Sequence, residues 1–328
     1  MAFKAIAVVG VRKNLRYTFA GITLKKLTIV QALLAAGEFE IRLITRQERA
    51  DKTRICGVTT IIADRSSTAD LTRAFYGCDV VVNVLGDHTP HQEHITVLDA
   101  AIAANVPRYV PSQWGNTPRL EALQAIPFIR SKFDITDLVE KAAREGKITF
   151  TSISGGPWIE YIMEFPTLMP VPQRTLHMHE RPDFEFGICS RKMFADALVA
   201  ALRMGEGTEN RHLHVDLARL SQNQALKMTR KALPNEEITT VQASFEDRYK
   251  TGLAKVLAGA SDKFAFADVL SKCIFDPASN TQPAKLDNEM LGLKMATENE
   301  LEELLREASK STRYEADAKV WLSMLSKG

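Results

Sequence analysis

The chain lacks closely spaced cysteines and any apolar run long enough to cross a bilayer. Its four cysteines lie far apart, without the paired spacing of a zinc site or a redox motif, which predicts free thiols in a reducing compartment. No apolar run approaches the roughly 20 residues that a membrane span needs, and no leader pattern opens the chain. An excess of one charge is also missing, since the net charge is +2. We therefore expect a cytoplasmic protein that binds neither nucleic acid nor a membrane.

A strand–helix–strand unit opens the chain, but it lacks the glycine-rich turn that such units use. Residues 4–10 are apolar and end in Gly10, residues 28–37 have a helical pattern with a glycine stop, and residues 39–46 alternate like a second strand. This is the opening pattern of a dinucleotide-binding sheet. Residues 17–27 are predicted to be extra length before the helix.

The turn after the first strand keeps only the first glycine of the usual Gly-x-x-Gly-x-x-Gly pattern. Lys13 and Arg16 occupy the positions of the other two glycines. One interpretation is a remodelled phosphate site, in which Arg12, Lys13 and Arg16 supply charge around Asn14. Another is a damaged site that binds cofactor weakly or not at all, because side chains fill the space that the pyrophosphate needs. A third is an insertion retained in the translated gene.

Strands and helices continue to alternate as far as residue 153, which predicts an α/β fold with a doubly wound parallel Rossmann sheet. From Ile159 onward prolines interrupt the helical period. We expect residues 1–158 to form the dinucleotide-binding Rossmann domain. Residues 159–328 are predicted to form a smaller, loop-rich substrate lobe, partly interleaved with it.

The carboxyl ends of two predicted strands supply further candidate cofactor contacts. The run 78–86 is nearly all apolar, hence central, and ends in Leu85 and Gly86. The strand 149–153 leads into a glycine pair that includes Gly156. Ligands of open α/β sheets bind at such carboxyl ends. We therefore predict that Leu85, Gly86 and Gly156 contact the dinucleotide.

Six short segments occur in a telling order and spacing: Val8-Val9-Gly10, Leu43-Ile44-Thr45-Arg46, Gly77-Cys78-Asp79-Val80-Val81, Asp99-Ala100-Ala101-Ile102-Ala103, Arg108-Tyr109-Val110-Pro111-Ser112-Gln113-Trp114-Gly115 and Asp287-Asn288-Glu289-Met290-Leu291-Gly292. Over nearly the whole chain they resemble the isoflavone reductase-like and NmrA-like proteins, the atypical short-chain dehydrogenases. The Pro-Ser-x-x-Gly element that contains Ser112 is the most specific of them. The resemblance implies hydride transfer from a nicotinamide cofactor, with Ser112 near that cofactor.

A lysine replaces the usual catalytic tyrosine pattern. Ordinary short-chain dehydrogenases use Tyr-x-x-x-Lys, and no tyrosine here has a lysine four residues later. Lys132 matches the lysine that isoflavone reductase-like enzymes place early in the helix after Pro-Ser-x-x-Gly. The resemblance implies that Lys132 contacts the cofactor and donates a proton or binds a substrate oxygen; the alternative is a solvated helix lysine. Gln113 departs from the family pattern, because relatives commonly carry an acid there.

The end of the second strand favours NADP(H) over NAD(H). Arg46 stands where an acid would bind the ribose 2′-hydroxyl of NAD, and it could pair with a 2′-phosphate instead. A surface arginine at a strand end is the alternative. Asp64 ends the third strand, where it could face the adenine or cap the following turn.

Histidines near the central strand end suggest a substrate cleft rather than a metal site. His88 and His91 follow that strand closely, so we predict that they line the substrate site. Although His91 and His94 are three residues apart, zinc on a helix prefers histidines four apart and a third ligand elsewhere. No metal is therefore expected.

Three aromatic residues at strand ends are candidate substrate contacts. Trp114 lies within the Pro-Ser-x-x-Gly element, and Trp158 and Tyr161 follow the glycine pair. Aromatic side chains at such an edge suit a planar substrate, although core packing is an equal alternative.

The resemblance implies an NADP(H)-dependent reductase of a small aromatic or polyketide-like metabolite, which we expect to be a monomer or homodimer. A dinucleotide-sensing regulator that binds a protein partner without turnover is the first alternative, favoured by the altered turn at Lys13 and Arg16. A non-redox isomerase or cyclase on the same fold is the second.

Overall fold

The computed structural model describes residues 3–10, 22–47, 55–86, 89–115, 127–163, 169, 174–258, 263–277, 283 and 285–309. The chain divides into two compact units that alternate along the sequence. The first unit comprises Met1–Gly155, Arg191–Val215 and Lys285–Leu293, and the second comprises Gly156–Ser190, Asp216–Ala284 and Lys294–Gly328. The predicted boundary at residue 158 stays a prediction.

The strands are β1 (Ala5–Val9), β2 (Glu40–Thr45), β3 (Thr59–Ile62), β4 (Val80–Asn83), β5 (Arg108–Val110), β6 (Thr149–Gly155), β7 (Thr175–Met178), β8 (Phe186–Ile188), β9 (Arg211–Val215), β10 (Ala218–Leu220) and β11 (Thr239–Gln242). Seven of them form a parallel sheet in the order β3-β2-β1-β4-β5-β6-β9. The predicted doubly wound sheet is confirmed, and β9 extends it beyond the strands that sequence patterns assigned.

The helices are α1 (Ile22–Ala36), α2 (Thr68–Phe75), α3 (His91–Ala103), α4 (Pro127–Arg144), α5 (Ile159–Ile162), α6 (Arg191–Met204), a 3-10 turn (Gly205–Thr208), α7 (Gln222–Ala232), α8 (Phe245–Leu257), α9 (Lys263–Phe275) and α10 (Glu298–Ser309). Over the described ranges, none of these helices combines the length and apolarity that a membrane crossing requires. Ser67 caps α2, since its hydroxyl accepts a hydrogen bond from the Asp70 amide.

The start of α1 corrects the sequence prediction. The helix begins at Ile22 rather than at Thr28, so residues 22–27 are helical and not extra loop length. Leucine and lysine in this stretch have high helix propensity, which favours a helix here although the preceding turn lacks the usual glycines. The segment whose length was in question is therefore shorter than predicted, and residues 11–21 within it lie outside the described part of the chain.

The two central strands have no exposed face. Every residue of β1 and β4 is buried, which is what their continuous apolar sequences require, because helices cover both faces of a parallel sheet. Phe75 of α2 and Val97 of α3 belong to the same buried cluster as Val9 and Val81. This packing places the carboxyl ends of β1 and β4 side by side.

The second unit has its own core and a partly buried histidine–arginine contact. Phe186 packs edge-on against Phe275 with ring centroids 4.6 Å apart. An Arg248 guanidinium nitrogen lies 2.7 Å from His177 Nδ1. Because arginine can only donate, Nδ1 accepts and the imidazole is held neutral. Asp268 pairs with Arg248 and keeps the guanidinium in place.

Replacing Gly10 by alanine tests the close approach of β1 to β4. Gly10 has φ +104°, and a Cβ there would lie 2.8 Å from Leu85 Cδ2 and 3.0 Å from the Leu85 amide nitrogen. We expect Gly10→Ala to lower the free energy of unfolding by about 2–5 kcal/mol, from backbone strain and crowding together. Gly37→Ala is the matched control, since Gly37 has φ +75° with no atom near its Cβ position. Equal losses in urea unfolding would contradict the crowding against Leu85.

The His177–Arg248 contact predicts a loss of stability in acid. Burial, followed by the charge of Arg248, lowers the pKa of His177 from 6.5 to about 4. Below pH 6.5 the unfolded chain therefore binds a proton on His177, whereas the folded chain does not bind it until the pH falls to about 4. The contribution to stability is complete above this window and is lost as the pH falls through it.

Urea unfolding at several pH values measures this contribution. The variant His177→Asn keeps a hydrogen-bond acceptor for Arg248 but cannot be protonated, so we expect a flatter decline of the unfolding free energy between pH 6.5 and 4. His212→Asn, at an exposed histidine paired with Glu140, is the control and should keep the slope of the unaltered chain. The same slope in all three proteins would refute the assignment.

Candidate functional site

The candidate site lies at the carboxyl edge of the seven-stranded sheet. The chain builds the sheet outward in opposite directions from β1 and β4, so the order reverses between these two neighbours. Ligands of open α/β sheets bind in the crevice outside such a reversal. Gly10 follows β1 here, and its left-handed backbone and missing side chain let the turn pass against Leu85. Glycine at this position therefore keeps the turn after β1 in contact with the end of β4.

A buried asparagine organises this edge. The Asn83 side chain accepts a hydrogen bond from the Leu85 amide and donates one to the Tyr109 hydroxyl. The backbone carbonyl of Asn83 accepts a third hydrogen bond, from the Trp114 indole. The Ser112 hydroxyl donates to the Leu85 carbonyl at 2.7 Å. The ends of β4 and β5 are thus joined. The signal for Asn83 was present as a polar residue in an apolar strand, but sequence analysis gave it no role.

These bonds account for the positions of several predicted contacts. Trp114 is 1% exposed and packs edge-on against Phe194 at 6.5 Å, so the core explains its burial. Leu85 is equally buried, whereas Gly86 is partly exposed and its carbonyl accepts from the Thr89 amide. Contact of Trp114 with substrate, and of Leu85, Gly86 and Ser112 with cofactor, stays a prediction.

The predicted catalytic lysine lies in a helix tied to the same edge. The Gln113 side-chain nitrogen donates to the Lys132 carbonyl at 3.0 Å and to the Thr136 hydroxyl at 2.9 Å. Gln113 is 5% exposed, and its buried side-chain oxygen has no hydrogen-bond partner within the described chain. A carboxylate could not donate these two bonds, so the departure from the family acid has a structural consequence: it anchors α4 beside the end of β5.

A second contact links the helices that follow β4 and β5. His91, the first residue of α3, places Nδ1 2.6 Å from the hydroxyl oxygen of Ser131 in α4. Both residues are partly buried, as is Lys132 next in sequence. Sequence analysis proposed His91 for the substrate site but gave Ser131 no role, because no local pattern pairs residues 40 positions apart. His88 lies outside the described residues.

The next histidine of α3, His94, is buried, whereas His91 is partly exposed. His94 is 9% exposed, and its Nδ1 lies 3.5 Å from the Asn83 side-chain nitrogen. His91 and His94 therefore have different surroundings although they are three residues apart. Across the described ranges, no group of three histidine, cysteine or acidic side chains is arranged to hold a metal ion.

The candidate residues for NADP(H) selection lie after β2 and β3. Arg46 follows β2 and is partly buried. Asp64 is exposed, and its carboxylate accepts hydrogen bonds from both the amide and the hydroxyl of Ser66, so it caps the turn before α2. These bonds, and then the charges of Arg46 and Arg65, lower the pKa of Asp64. The two candidates are thus electrostatic neighbours, and their contacts with a dinucleotide stay predictions.

Close packing within the second unit leaves no room for a side chain at Gly156. A Cβ on Gly156 would lie 2.1 Å from the Gly187 carbonyl oxygen, and one on Gly187 would lie 2.2 Å from Asp216 Oδ2. The Gly156 amide donates to the buried Asp216 carboxylate. That amide is therefore engaged within the protein, and the predicted cofactor contact of Gly156 stays untested.

The other two aromatic candidates also belong to the second unit. Trp158 forms a bridge with Cys189 and is partly exposed. Tyr161 lies in the single turn of α5, with its side chain outside the described atoms.

Arg12, Lys13 and Asn14 fall in the segment that the structure does not describe, so the alternatives for the altered turn stay open.

Comparison with known proteins adds three relatives. Oxidoreductase aprR of Aspergillus flavus is 26% identical over 211 residues, which cover 63% of this chain and 70% of that protein. The structure of AtPrR2 with NADP+ and (+)pinoresinol has a TM-score of 0.73 at 17% identity, covering 93% of this chain and 98% of the other. A crystal structure of isoflavone reductase has a TM-score of 0.72 at 15% identity, covering 92% and 99%.

A family model described as NAD(P)H-binding matches residues 27–204. The match begins after β1 and after the altered turn, and it includes Arg46, Ser112 and Lys132. Because it spans more than half of the chain, the protein belongs to this NAD(P)H-binding family, with the fold of isoflavone reductase, as its motifs predicted.

Proposed function

We propose that the protein is an NADP(H)-dependent reductase of a small aromatic or polyketide-like molecule. The observation that carries the proposal is the tethering of the Lys132 segment to the carboxyl edge of the sheet. Gln113 holds the Lys132 carbonyl from the end of β5, and His91 holds the adjacent Ser131 from the start of α3. A lysine fixed at the ligand-binding edge of a dinucleotide-binding sheet suits proton transfer or binding of a substrate oxygen.

The described residues at this edge are compatible with a dinucleotide. Gly10 follows β1 at the point where the order of the strands reverses, and Arg46 supplies a cation after β2, where a ribose phosphate would lie. A bound NADPH would supply hydride to a carbonyl or conjugated double bond. Arg46 would bind the 2′-phosphate, and Lys132 would orient the substrate oxygen.

Two relatives support a redox function. The curated relative from Aspergillus flavus is named an oxidoreductase, and AtPrR2 was solved with NADP+ and (+)pinoresinol. The missing glycines do not by themselves argue against dinucleotide binding, because Arg12, Lys13 and Arg16 would offset the charge of the phosphates. It does predict that part of the binding is sensitive to salt.

The choice of cofactor depends on Arg46. We expect NADPH to bind more tightly than NADH, and Arg46→Ala to remove most of that preference, because a charge-assisted contact contributes about 1.5–3 kcal/mol. Calorimetric titration of the purified chain with both dinucleotides measures it. Arg203→Ala, at an exposed arginine paired with Glu38, is the control and should keep the preference.

The same titration separates the alternative functions. Equal affinities of the unaltered chain for NADPH and NADH would exclude the role given to Arg46. Absence of binding to either dinucleotide would exclude the reductase and favour the non-redox enzyme. Tight NADPH binding without oxidation by any aromatic ketone, quinone or enone would favour the regulator.

Lys132 should be required for turnover but not for folding. We expect Lys132→Met to lower kcat for NADPH-dependent reduction of an aromatic carbonyl by about 10²–10⁴-fold, as is typical of general acid–base groups. Lys141→Met is the matched control, since Lys141 is an exposed residue near the end of the same helix. Unchanged kcat in Lys132→Met, with both variants folded by circular dichroism, would show that Lys132 has no catalytic role.

A further inference from the structure

The His91–Ser131 pair differs from the other polar contacts near the site. It joins residues from the two helices that follow β4 and β5, and both helices begin on the carboxyl side of the sheet. In the described part of the chain, this 2.6 Å contact is the sole side-chain hydrogen bond of either residue. In the tautomer in which His91 Nδ1 donates to the Ser131 oxygen, the Ser131 O–H and the imidazole Nε2 have no hydrogen-bond partner in the described part of the chain.

His214 also contacts a serine, with Nδ1 3.1 Å from the Ser154 hydroxyl, but it is only 9% exposed, and Ser154 also donates to the Leu213 carbonyl. The surroundings of three further histidines differ from those of His91 as well. His94 lies buried against Asn83, and His177 accepts from Arg248, which keeps it neutral. His212 is exposed beside Glu140 on the second residue of β9, toward the amino end of that strand. His91 therefore combines partial exposure, a hydroxyl partner and a position at the ligand-binding edge.

We propose that Ser131, held by His91 and adjacent to Lys132, is the oxyanion site of the protein and returns a proton to a substrate oxygen that becomes negative on reduction. The substrate class is thereby a ketone, aldehyde or conjugated enone, not an isolated alkene. This inference rests on the reductase proposed above and specifies its substrate. Ser131 touches the substrate and is the catalytic residue, whereas His91 acts through it as a positioning residue.

The proton transfer balances without a further reactant. A bound reduced nicotinamide would supply the hydride for the new C–H bond, and the electron pair of the carbonyl π bond would remain on the substrate oxygen. The Ser131 O–H bond breaks as the substrate O–H bond forms, and Ser131 takes the proton of His91 Nδ1. A solvent proton enters at Nε2. Either tautomer of His91 keeps the contact with Ser131, since the hydroxyl both donates and accepts.

Lys132 and Ser131 would act on the same negative charge from different directions. Consecutive helix residues project about 100° apart around the axis, so the long lysine side chain and the short hydroxyl converge only on a ligand outside the helix. The cation stabilises the negative oxygen, and the hydroxyl supplies the short directional hydrogen bond. Neither group replaces the other.

Benzoate binding to the full-length chain, without cofactor, tests the site directly. Its carboxylate stands in for a carbonyl oxygen that has become negative. We expect calorimetry to show that the unaltered chain binds benzoate. The affinity should be lower by about tenfold or more in Ser131→Ala and in His91→Gln, because a hydrogen bond to a charged group is lost. Ser131→Thr keeps the hydroxyl and should retain most of the affinity. His212→Gln, outside the site, should bind like the unaltered chain.

Thermal unfolding of the same proteins distinguishes a binding role from a helix tether. Loss of benzoate affinity in Ser131→Ala at an unchanged midpoint, with recovery in Ser131→Thr, supports the proposal. No binding to the unaltered chain, equal affinity in all variants, or affinity that falls only in step with the midpoint overturns it.

Cofactor binding and turnover separate this inference from the reductase itself. With NADPH and an aromatic ketone, Ser131→Ala should lower kcat at least tenfold with little change in KM, and Ser131→Thr should restore it. Selective benzoate binding without any NADPH binding would refute the reductase while supporting the oxyanion site. NADPH-dependent turnover that is unchanged in Ser131→Ala would refute the oxyanion site and leave the reductase standing.

Discussion

The carboxyl edge of the sheet depends on the hydrogen bonds of one buried asparagine. The Asn83 side chain accepts from the Leu85 amide and donates to the Tyr109 hydroxyl, and its backbone carbonyl accepts from the Trp114 indole. An apolar residue at this position would remove the two side-chain bonds at once, at a cost in stability because the Leu85 amide and the Tyr109 hydroxyl are buried. Burial raises the pKa of Tyr109, so its hydroxyl stays protonated and the network stays neutral.

Hydrogen bonds also connect this edge to the helices that follow β4 and β5. Gln113 lies next to Ser112, which is bonded to the Leu85 carbonyl, so the anchor that holds the Lys132 carbonyl is itself fixed. His91 adds a second tie, from α3 to α4. The helix is thus held at two consecutive residues, through the Ser131 hydroxyl and the Lys132 backbone carbonyl. Positioning a reacting group requires a fixed backbone of this kind.

The second unit solves a comparable packing problem with glycines around a buried acid. The Asp216 carboxylate accepts from the Gly156 amide and pairs with Arg219, so its charge is compensated within the protein. Gly156 and Gly187 have no side chains because a Cβ at either position would overlap neighbouring atoms. Burial also raises the pKa of the nearby Cys189 thiol, so this cysteine stays protonated and unreactive.

Local sequence patterns determined the fold class, the cap at Ser67 and the place of Lys132, because apolar periodicity and turn residues act over short distances along the chain. They misplaced the start of α1, where helix propensity continues up to Ile22. The pairing of His91 with Ser131 and the bonds of Asn83 were decided only by the tertiary structure. These contacts join distant segments through the order of the strands, and no pattern confined to one segment contains that order.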